Sequence, residues 1–385
     1  MQTRILFGIT SKSHTEISLD EMYGLIELGY VCDQFEFGGK KNFKSAIARF
    51  YIIFLNAIKL LFKAYQFKPN FIYLNSRVEY IASVRDFVTV IIMKLFYFRK
   101  VYFLIKSHGS NLEVLQSDIF FYKAIVFPLL KRCVRGWLFL STEELSWIIS
   151  DKLLDESKIF LTKNIVRSEK FIIENDFRKR HNIPDDHTIL LFVGRVVKEK
   201  GLYYVVEAFA AIKDKYKIFL VVVGDGEELN VIKRQIIKLN ISKQVLFTGW
   251  INEATVASFT SNSNVLVYPT FAPEGFPMAL FNSLASGLSI ITTPIRAAYD
   301  YLEDTKNCLW VKPKSSESII IALNKLLGNK TLMDEMRVNN KQKVQLFNRS
   351  SVCMELSAIL HAIQANEYDN IFREVKKPFA NINCI

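Results

Sequence analysis

Short apolar runs alternate with helical patterns along the first part of the chain. Between the runs, apolar positions recur every three or four residues, which is typical of helices that bury one face. Six runs arranged in this way predict a parallel sheet covered by helices on both faces. The predicted strands are Ile5–Ile9, Val31–Phe37, Phe71–Leu74, Val101–Lys106, Trp137–Leu140 and Lys158–Leu161.

The alternation restarts after a polar stretch at Glu169–His187, which predicts a linker into a second domain. Six more apolar runs follow, again with helical patterns between them. We therefore predict two successive doubly wound α/β units, each of a Rossmann-like type. The strands predicted for the second unit are Thr188–Val193, Ile218–Val223, Val245–Thr248, Val265–Tyr268, Ser289–Thr292 and Cys308–Val311.

Length agrees with this organisation. The chain has 385 residues, and a domain usually holds about 100–200. We place an N-terminal domain at residues 1–168 and a C-terminal domain at residues 169–350. Residues 351–385 are a predicted C-terminal helix and tail, which we expect to pack back toward the N-terminal domain.

Charge and cysteine usage narrow the function classes. The net charge of +12 suits nucleic acid, anionic lipid or a phosphorylated small molecule as a partner. No zinc-finger or ribonucleoprotein motif accompanies it, so we expect no nucleic-acid partner. The five scattered cysteines form no C-x-x-C pair, which favours a reducing, cytoplasmic location. The apolar run near Met1 is too short for a signal peptide and predicts a first strand.

One stretch has the length of a membrane span. Gly275–Ile295 carries no charge over 21 residues. It contains Pro277, Asn282, Gly287 and Pro294, which interrupt an apolar helix. We therefore predict a loop, a buried helix and a buried strand in this stretch.

Candidate chemistry follows the predicted strands, where open parallel sheets bind ligands. Gly194 and Arg195 come after the strand that ends at Val193, and Lys200 and Gly201 precede the next helix. A helix N-terminus with two cations is suited to a pyrophosphate. A β–α loop with solvated basic residues is the alternative, and spacing alone does not separate the two.

A second group precedes a predicted helix at Ala279–Ser286. Its carboxylate can accept hydrogen bonds from sugar hydroxyls, while its backbone amides can approach a ligand closely and its proline suits a first helical turn. A plain helix-capping role for the acid is the alternative. The group consists of Glu274, Gly275, Phe276, Pro277 and Met278.

Two further strand ends carry polar residues. His108 follows the strand Val101–Lys106 and precedes Gly109, at the edge where ligands bind, although a structural histidine is the alternative. Asp225 and Glu227 follow another strand, but no histidine or cysteine lies near them in sequence. No Asp-x-Asp motif occurs in the chain, so we predict a tight turn and a helix start there, and no metal site.

Together these segments resemble the retaining family 4 glycosyltransferases, which belong to glycosyltransferase group 1 and have the GT-B fold. The resemblance is specific across Thr188–Pro313 and looser in the N-terminal half. In the specific part, the matching motifs are Gly194-Arg195 with Lys200-Gly201, Val222–Gly226, Phe247–Trp250 and Glu274–Met278. In the looser part they are Ser107-His108-Gly109 and Asn164-Ile165-Val166.

The resemblance implies two Rossmann-like domains that face each other across a cleft. It also implies metal-independent transfer from a UDP- or GDP-type nucleotide sugar to a glycan or lipid-linked glycan. Arg195 and Lys200 would hold the donor diphosphate, Glu274 would contact sugar hydroxyls, and His108 would contact the donor sugar from the opposite domain. The other implied donor contacts are Gly194, Gly201, Thr248, Gly249, Trp250, Gly275, Phe276, Pro277, Met278 and Asn282.

Three positions depart from the family pattern. Asn282 stands where the family has its second glutamate, which holds the ribose hydroxyls; an asparagine forms hydrogen bonds but carries no charge. Gly8-Ile9-Thr10-Ser11 replaces a double glycine in the first N-terminal loop, and Arg296-Ala297-Ala298 replaces another after the strand Ser289–Thr292. These replacements imply differences in nucleotide recognition and on the acceptor side.

The resulting prediction is a hexosyltransferase-type, retaining glycosyltransferase in surface polysaccharide, lipopolysaccharide or capsule assembly. The departing phosphate would help to deprotonate the acceptor hydroxyl on the same face of the sugar. One alternative is a non-catalytic GT-B partner subunit, which Asn282 favours and the presence of Arg195, Lys200 and Glu274 opposes. Another is a nucleotide-sugar epimerase of the same fold, which the segment at Glu274 disfavours.

Two segments of the N-terminal half mix aromatic residues with cations: Lys40–Lys68 and Met93–Tyr102. A basic, aromatic amphipathic helix can lie on an anionic bilayer. Packing of its apolar face on the sheet is the alternative, and we favour that alternative for most of these aromatics. Contact with the inner face of the plasma membrane stays open.

Overall fold

The computed structural model describes residues 2–9, 12–37, 45–109 and 111–366. Within these ranges the chain forms two compact units. The first holds the described residues up to Ile165 and the helix that begins at Arg349, and the second holds Val166–Asn348. The predictions that lie outside the described residues concern Thr10, Ser11, the Lys40–Lys44 part of the basic segment and the tail after residue 366.

The first unit alternates strands and helices, and its C-terminal helix returns to it from the far end of the chain. Its elements are β1 (Arg4–Ile9), α1 (Lys12–Glu27), β2 (Val31–Glu36), α2 (Ala46–Phe67), β3 (Phe71–Ser76), α3 (Tyr80–Phe96), β4 (Tyr102–Ser107), α4 (Phe127–Cys133), β5 (Val134–Phe139), α5 (Thr142–Ser150), β6 (Ile159–Leu161) and α14 (Arg349–Ala365). The strands are all parallel and lie in the order β2-β1-β3-β4-β5-β6.

Both faces of this sheet are covered. The central strand β3 is buried at all six positions, as a strand with helices on both sides requires. One face packs on α2 to α5 through residues such as Leu60 and Met93. The other face packs on α1 and α14 through residues such as Leu25 and Leu356.

The second unit repeats the pattern with a different strand order. Its elements are α6 (Phe177–Arg180), β7 (Thr188–Val193), α7 (Leu202–Ile212), β8 (Ile218–Val223), α8 (Leu229–Lys238), β9 (Val245–Gly249), α9 (Glu253–Ser261), β10 (Val265–Tyr268), α10 (Met278–Ala285), β11 (Ser289–Thr292), α11 (Arg296–Tyr301), β12 (Leu309–Trp310), α12 (Ser316–Leu327) and α13 (Lys330–Lys343). The parallel strands lie in the order β12-β11-β10-β7-β8-β9.

The structure confirms all twelve predicted strands within three residues at either end. The stretch Gly275–Ile295 is a loop, the helix α10 and the strand β11, as predicted. Nowhere in the described ranges is there a helix with both the length and the apolar character needed to cross a membrane.

The predicted linker Glu169–His187 is more ordered than a simple connection. It contains α6, whose Phe177 is 1% exposed and packs edge-on against Phe259, with ring centroids 5.1 Å apart. A single aromatic anchor within a polar stretch explains why the sequence pattern indicated a linker.

The aromatics of the two basic segments correct the interpretation that we favoured. Tyr97 is buried and Phe67 is half-buried, so packing on the sheet accounts for these two. The other described aromatics of α2 and of the end of α3 are exposed, so for most of them that interpretation is wrong. The exposed ones are Phe50, Tyr51, Phe54, Phe62, Tyr65, Phe96 and Phe98.

Candidate active site

The second unit has a point where the strand order reverses. The chain starts at β7 and moves outward through β8 to β9, and then returns to the other side of β7 with β10. In doubly wound sheets the loops on either side of such a reversal diverge and leave a crevice at the carboxyl ends of the strands. The loop after β7 carries Arg195 and Lys200, and the loop after β10 carries Glu274.

The two loops meet through three polar side chains. The Lys200 ammonium donates to a carboxylate oxygen of Glu274 and, at 2.7 Å, to the hydroxyl of Tyr268. The Tyr268 hydroxyl in turn donates to the Oε2 atom of Glu274 at 2.6 Å. Lysine, glutamate and tyrosine therefore form a closed triangle of hydrogen bonds at the reversal point.

Burial sets the electrostatics of this triangle. Lys200 is 4% exposed, and loss of water around its ammonium lowers its pKa from the ordinary value of 10.5. The Glu274 carboxylate opposes this effect on the pKa, whereas the positive charge of Arg195 adds to it. Burial also raises the pKa of Tyr268 well above its usual range, so this hydroxyl keeps its proton at neutral pH.

Two glycines allow neighbouring loops at this edge of the sheet to approach closely. Gly201 has a φ of 75°, and a Cβ atom there would lie 2.6 Å from the carbonyl oxygen of Pro269 in the loop after β10. Gly224 has a φ of 135°, and a Cβ atom there would lie 1.9 Å from the carbonyl oxygen of Gly194. Larger residues at either position would push the loops apart.

The segment after Glu274 is fixed by aromatic packing. Phe276 is buried and stacks on Phe281 of α10 with ring centroids 3.7 Å apart, and its edge meets Phe347 at 5.6 Å. Because its ring packs in this way, Phe276 can contact a ligand only through its backbone. Pro277 caps α10, and the first amides of a helix have no partner within the helix, so they are suited to an anion.

The structure also decides two of the alternatives left by the sequence. Glu274 does not cap α10 with its side chain, because its carboxylate is bonded to Lys200 and Tyr268. Lys200 is not a solvated cation. Arg195, in contrast, is exposed.

The strand end at Thr248 and Gly249 is connected to the same edge of the sheet. The amide of Gly224 donates to the carbonyl of Gly249 at 3.0 Å, which links this strand end to the turn that packs on Gly194. Trp250 follows and is 79% exposed. Asn282 is half-buried on α10.

Tyr268 is the residue that the sequence analysis missed. It is the last residue of β10, 2% exposed, and it directly precedes the loop that carries Glu274. A hydroxyl-bearing aromatic at the carboxyl end of a central strand, beside two loops with ionisable residues, is the signal that could have identified it.

Arg296 occupies an unusual backbone conformation. It begins α11 with a φ of 42°, in the left-handed region that favours glycine, and it is 6% exposed. The position therefore keeps the backbone geometry of the glycines that the resemblance implies there, although it carries a long cationic side chain.

His108 belongs to the first unit, where it follows β4. It is 7% exposed, and its Nε2 atom lies 2.7 Å from the Oδ1 atom of Asn75 at the end of β3. Two residues earlier, on β4, Lys106 forms a fully buried ion pair with Glu21 of α1. The predicted contact of His108 with a donor sugar stays a prediction.

Asp225 behaves as a turn residue. Its side chain accepts from the amide of Gly226 at 2.7 Å, and α8 begins shortly afterwards at Leu229. Among the described residues, no group of three or more histidine, cysteine, aspartate or glutamate side chains is placed to hold a metal ion.

Comparison with known proteins shows what the chain is similar to. Residues 173–343 match the family model of the glycosyl transferases group 1. The capsular polysaccharide biosynthesis glycosyltransferase CapM of Staphylococcus aureus is 26% identical over 245 residues, which make up 62% of this chain and 64% of that protein. The chain spans 43%, 64% and 61% of the lengths of three curated relatives that it matches.

Two solved structures share the fold across nearly the whole chain. A glycosyltransferase of Rickettsia africae aligns with a TM-score of 0.76 at 17% identity and covers 95% of this chain and 99% of its own. HepE of Anabaena, solved with UDP and glucose, aligns with a TM-score of 0.72 at 14% identity and covers 94% of this chain and 100% of its own. The chain therefore has the GT-B fold of these glycosyltransferases, and its segment 173–343, less than half of the chain, is similar to the group 1 glycosyltransferases.

Proposed function

We propose that the protein transfers a hexose from a nucleoside diphosphate sugar to an acceptor hydroxyl, with retention at the anomeric carbon. The observation that carries this proposal is the triangle of Lys200, Glu274 and Tyr268 beside Arg195. It lies where the strand order reverses, between the starts of α7 and α10. Cations and helix N-termini suit a diphosphate, while a carboxylate suits sugar hydroxyls.

The reaction breaks the bond between the anomeric carbon and a phosphate oxygen, and the electron pair leaves with the diphosphate. The acceptor oxygen forms the new bond on the same face, and its proton passes to the departing phosphate oxygen. Arg195 and Lys200 stabilise the charge that develops on the leaving group. Preorganised groups of this kind are worth most in a water-poor site, and Lys200 is already buried.

Glu274 takes two roles in this proposal. In the structure its carboxylate neutralises Lys200 and accepts from Tyr268. When a diphosphate arrives, Lys200 gains a second anionic partner, and one oxygen of Glu274 becomes available to sugar hydroxyls. Tyr268 keeps the other oxygen in place, so the carboxylate does not swing away.

The nucleoside is assigned to the loops on either side. Thr248, Gly249 and Trp250 are proposed to lie near the base, and Asn282 near the ribose. A UDP-type donor agrees with HepE, which was solved with UDP, and a GDP-type donor is the second possibility. The metal independence that the resemblance implies stays a prediction.

For the acceptor, we propose a glycan or lipid-linked glycan of a surface polysaccharide. CapM, to which this chain is similar, is named for capsular polysaccharide biosynthesis. His108 is proposed to contact the donor sugar from the first unit. The predicted location, the cytoplasm at the inner face of the plasma membrane, belongs to the same proposal.

The test is a transfer assay with the purified full chain. UDP- and GDP-sugars are offered with and without diphosphate-linked lipid glycans, and products are analysed for released nucleotide, sugar identity and anomeric configuration. Lys200→Gln and Arg195→Ala should each lower kcat/KM by about 100-fold or more. Lys198→Gln is the matched control, because Lys198 is exposed in the same turn, and it should leave the rate within about threefold.

Three outcomes would contradict the proposal. Wild-type turnover by Lys200→Gln would remove its central residue. Donor binding without any transfer or hydrolysis would favour the non-catalytic partner, for which Asn282 is the argument. A free sugar of changed configuration would favour the epimerase.

A further inference from the structure

The first unit has a reversal of strand order of its own, between β1 and β3. The chain runs from β1 outward to β2 and returns on the other side of β1 with β3. In doubly wound sheets, ligands bind at the carboxyl ends of the strands beside such a reversal. Ser76, the last residue of β3, lies at this edge, and its side chain contacts Arg85 and Asp86 in the second turn of α3.

Asp86 and Ser76 hold one side of the Arg85 guanidinium. Its Nε and Nη2 atoms donate to the Oδ1 atom of Asp86 at 3.1 and 2.9 Å, and Nη2 also donates to the Ser76 hydroxyl at 2.7 Å. The Ser76 hydroxyl donates to the Oδ2 atom of Asp86 at 2.5 Å, so both carboxylate oxygens are used. Adjacent residues of a helix do not face each other, so the Arg85 side chain has to fold back to make these contacts.

An aromatic ring holds the flat face of the same guanidinium. The guanidinium carbon of Arg85 lies 4.1 Å from the centroid of the Phe37 ring, which follows β2. Gly8 of β1 leaves room for this ring, because a Cβ atom there would lie 3.3 Å from the Cγ atom of Phe37. The plane of the guanidinium is thus set by the ring, and its direction by its hydrogen bonds.

One end of the guanidinium is left for a ligand. Arginine has five N–H donors and no acceptor. Asp86 and Ser76 use three of the donors, and within the described part of the chain no residue accepts from the two N–H groups of Nη1. The Arg85 side chain is 14% exposed and that of Asp86 is 3% exposed. The carboxylate is therefore enclosed, and the part of the pair that reaches solvent is a set of cationic donors.

A stabilising role alone does not account for this arrangement. In a buried ion pair, the lost hydration of both charges largely offsets their attraction, so such a pair adds little to stability. An arginine that only neutralised Asp86 would need neither a planar cation nor a ring beneath it. An arginine that recognises a phosphate gains from both, because a guanidinium already held in one orientation loses less entropy when its ligand binds.

We propose that Arg85 binds the diphosphate that joins the glycan of the acceptor to its lipid. This inference rests on the proposed function, in which the acceptor is a lipid-linked glycan. The His108 amide donates to the Ser76 carbonyl at 2.9 Å, so Arg85 acts beside the strand end that carries the residue proposed to contact the donor sugar. Ile81 lies one helical turn before Arg85, is 63% exposed, and provides an apolar contact for the lipid chain next to the diphosphate.

The experiment is calorimetric titration of geranyl diphosphate into the full chain, with UDP and GDP in excess to occupy the nucleotide site of the second unit. We expect the wild type to bind it. Arg85→Lys should bind at least about tenfold more weakly, because lysine keeps the charge but lacks the planar fork. The double variant of Arg85→Gln with Asp86→Asn leaves no carboxylate buried without its cation, and it should show at least the same loss.

Arg99→Gln is the matched control. It removes an exposed cation that follows α3 in the same unit, and its affinity for geranyl diphosphate should stay within about twofold of that of the wild type. Circular dichroism and thermal unfolding establish that every variant is folded.

Inorganic pyrophosphate, titrated in the same way, distinguishes the acceptor from a soluble phosphate compound. It has the same phosphate oxygens but no chain to contact Ile81, so we expect it to bind about fivefold more weakly than geranyl diphosphate. Equal affinities for the two compounds would assign the site to a soluble phosphate and overturn its assignment to the acceptor.

Two other results would also overturn the proposal. One is wild-type affinity for geranyl diphosphate in the double variant, and the other is the absence of binding to the wild type. UDP and GDP should bind Arg85→Lys as they bind the wild type. Because that titration tests the second unit alone, failure of this proposal is distinguishable from failure of the proposed transferase activity.

Discussion

Tyr268→Phe tests whether the triangle at the reversal point is a structural and functional unit. The substitution keeps the ring, which is 2% exposed, and removes the hydroxyl that joins Lys200 to Glu274. A hydrogen bond to a charged group is worth about 1.5–3 kcal/mol. Because Lys200 and Glu274 still pair with each other, we take the lower end and expect a loss of about 2 kcal/mol in the free energy of unfolding.

For a domain of this size, each kcal/mol corresponds to about 2–4 °C in Tm, so the second unit should unfold about 4–8 °C earlier. Calorimetry of the full chain measures this shift, and donor titration measures the accompanying loss of affinity. Tyr203→Phe is the control, because Tyr203 is 45% exposed and its loss of a hydroxyl should change stability by less than about 0.5 kcal/mol. Equal Tm values and equal donor affinities for Tyr268→Phe and the wild type would refute the reasoning.

Three other perturbations follow from the geometry. In a denaturant titration, Gly201→Ala should destabilise the second unit more than Gly249→Ala does. Both glycines have left-handed backbones, in which a side chain costs about 1–2 kcal/mol, but only at Gly201 does the new Cβ meet a carbonyl oxygen, at 2.6 Å. Equal losses of stability would contradict this. Lys106→Met should lower the free energy of unfolding of the first unit by about 3–5 kcal/mol, because it leaves the Glu21 carboxylate buried without its cation. The double variant with Glu21→Leu should recover most of that loss. A double variant as unstable as the single one would contradict this. Burial lowers the pKa of Lys200 below 10.5, so the folded chain releases this proton at a lower pH than the unfolded chain does. Between the lowered pKa and 10.5 the unfolded chain therefore binds more protons, and wild-type stability should rise with pH relative to that of Lys200→Met. Donor affinity should fall over the same pH range. A flat difference across that range would contradict the assignment.

Hydrophobic patterning predicted the fold because parallel strands buried on both faces leave continuous apolar runs. β3 and β8 are buried at every position, so they are visible in the sequence without knowledge of their neighbours. The edge strand β12 has only two residues and was predicted with four, because adjacent Cys308 and Val311 are buried by other contacts. The strand order, in contrast, depends on long-range pairing that no local pattern encodes.

The site was predictable only where short motifs carry it. The loops that carry Gly194, Arg195, Lys200 and Glu274 have residue types that indicate phosphate and sugar binding. The contact between Lys200 and Glu274, in contrast, is tertiary and joins residues 74 positions apart in the sequence. Tyr268 was missed because a tyrosine within an apolar run has the pattern of a core residue. Its hydroxyl acquires a role only through the fold.

The exposed aromatics were misjudged for a related reason. A helix with two apolar faces has the same composition as a helix buried on a wide face, and only the packing of Leu60 and Ala64 shows which face the sheet takes. The acid-free charge pattern around Arg49 and Lys59 was the better indicator of a surface, since a buried helix has no use for it.

Calorimetric titration of UDP and GDP into the wild type, Lys200→Gln and Lys198→Gln addresses the nucleotide site most directly. We expect one of the two nucleotides to bind the wild type and Lys198→Gln alike, and to bind Lys200→Gln at least about tenfold more weakly. Identical affinities for all three proteins, or no heat from either nucleotide with the wild type, would contradict the assignment of the second unit as the donor-binding unit.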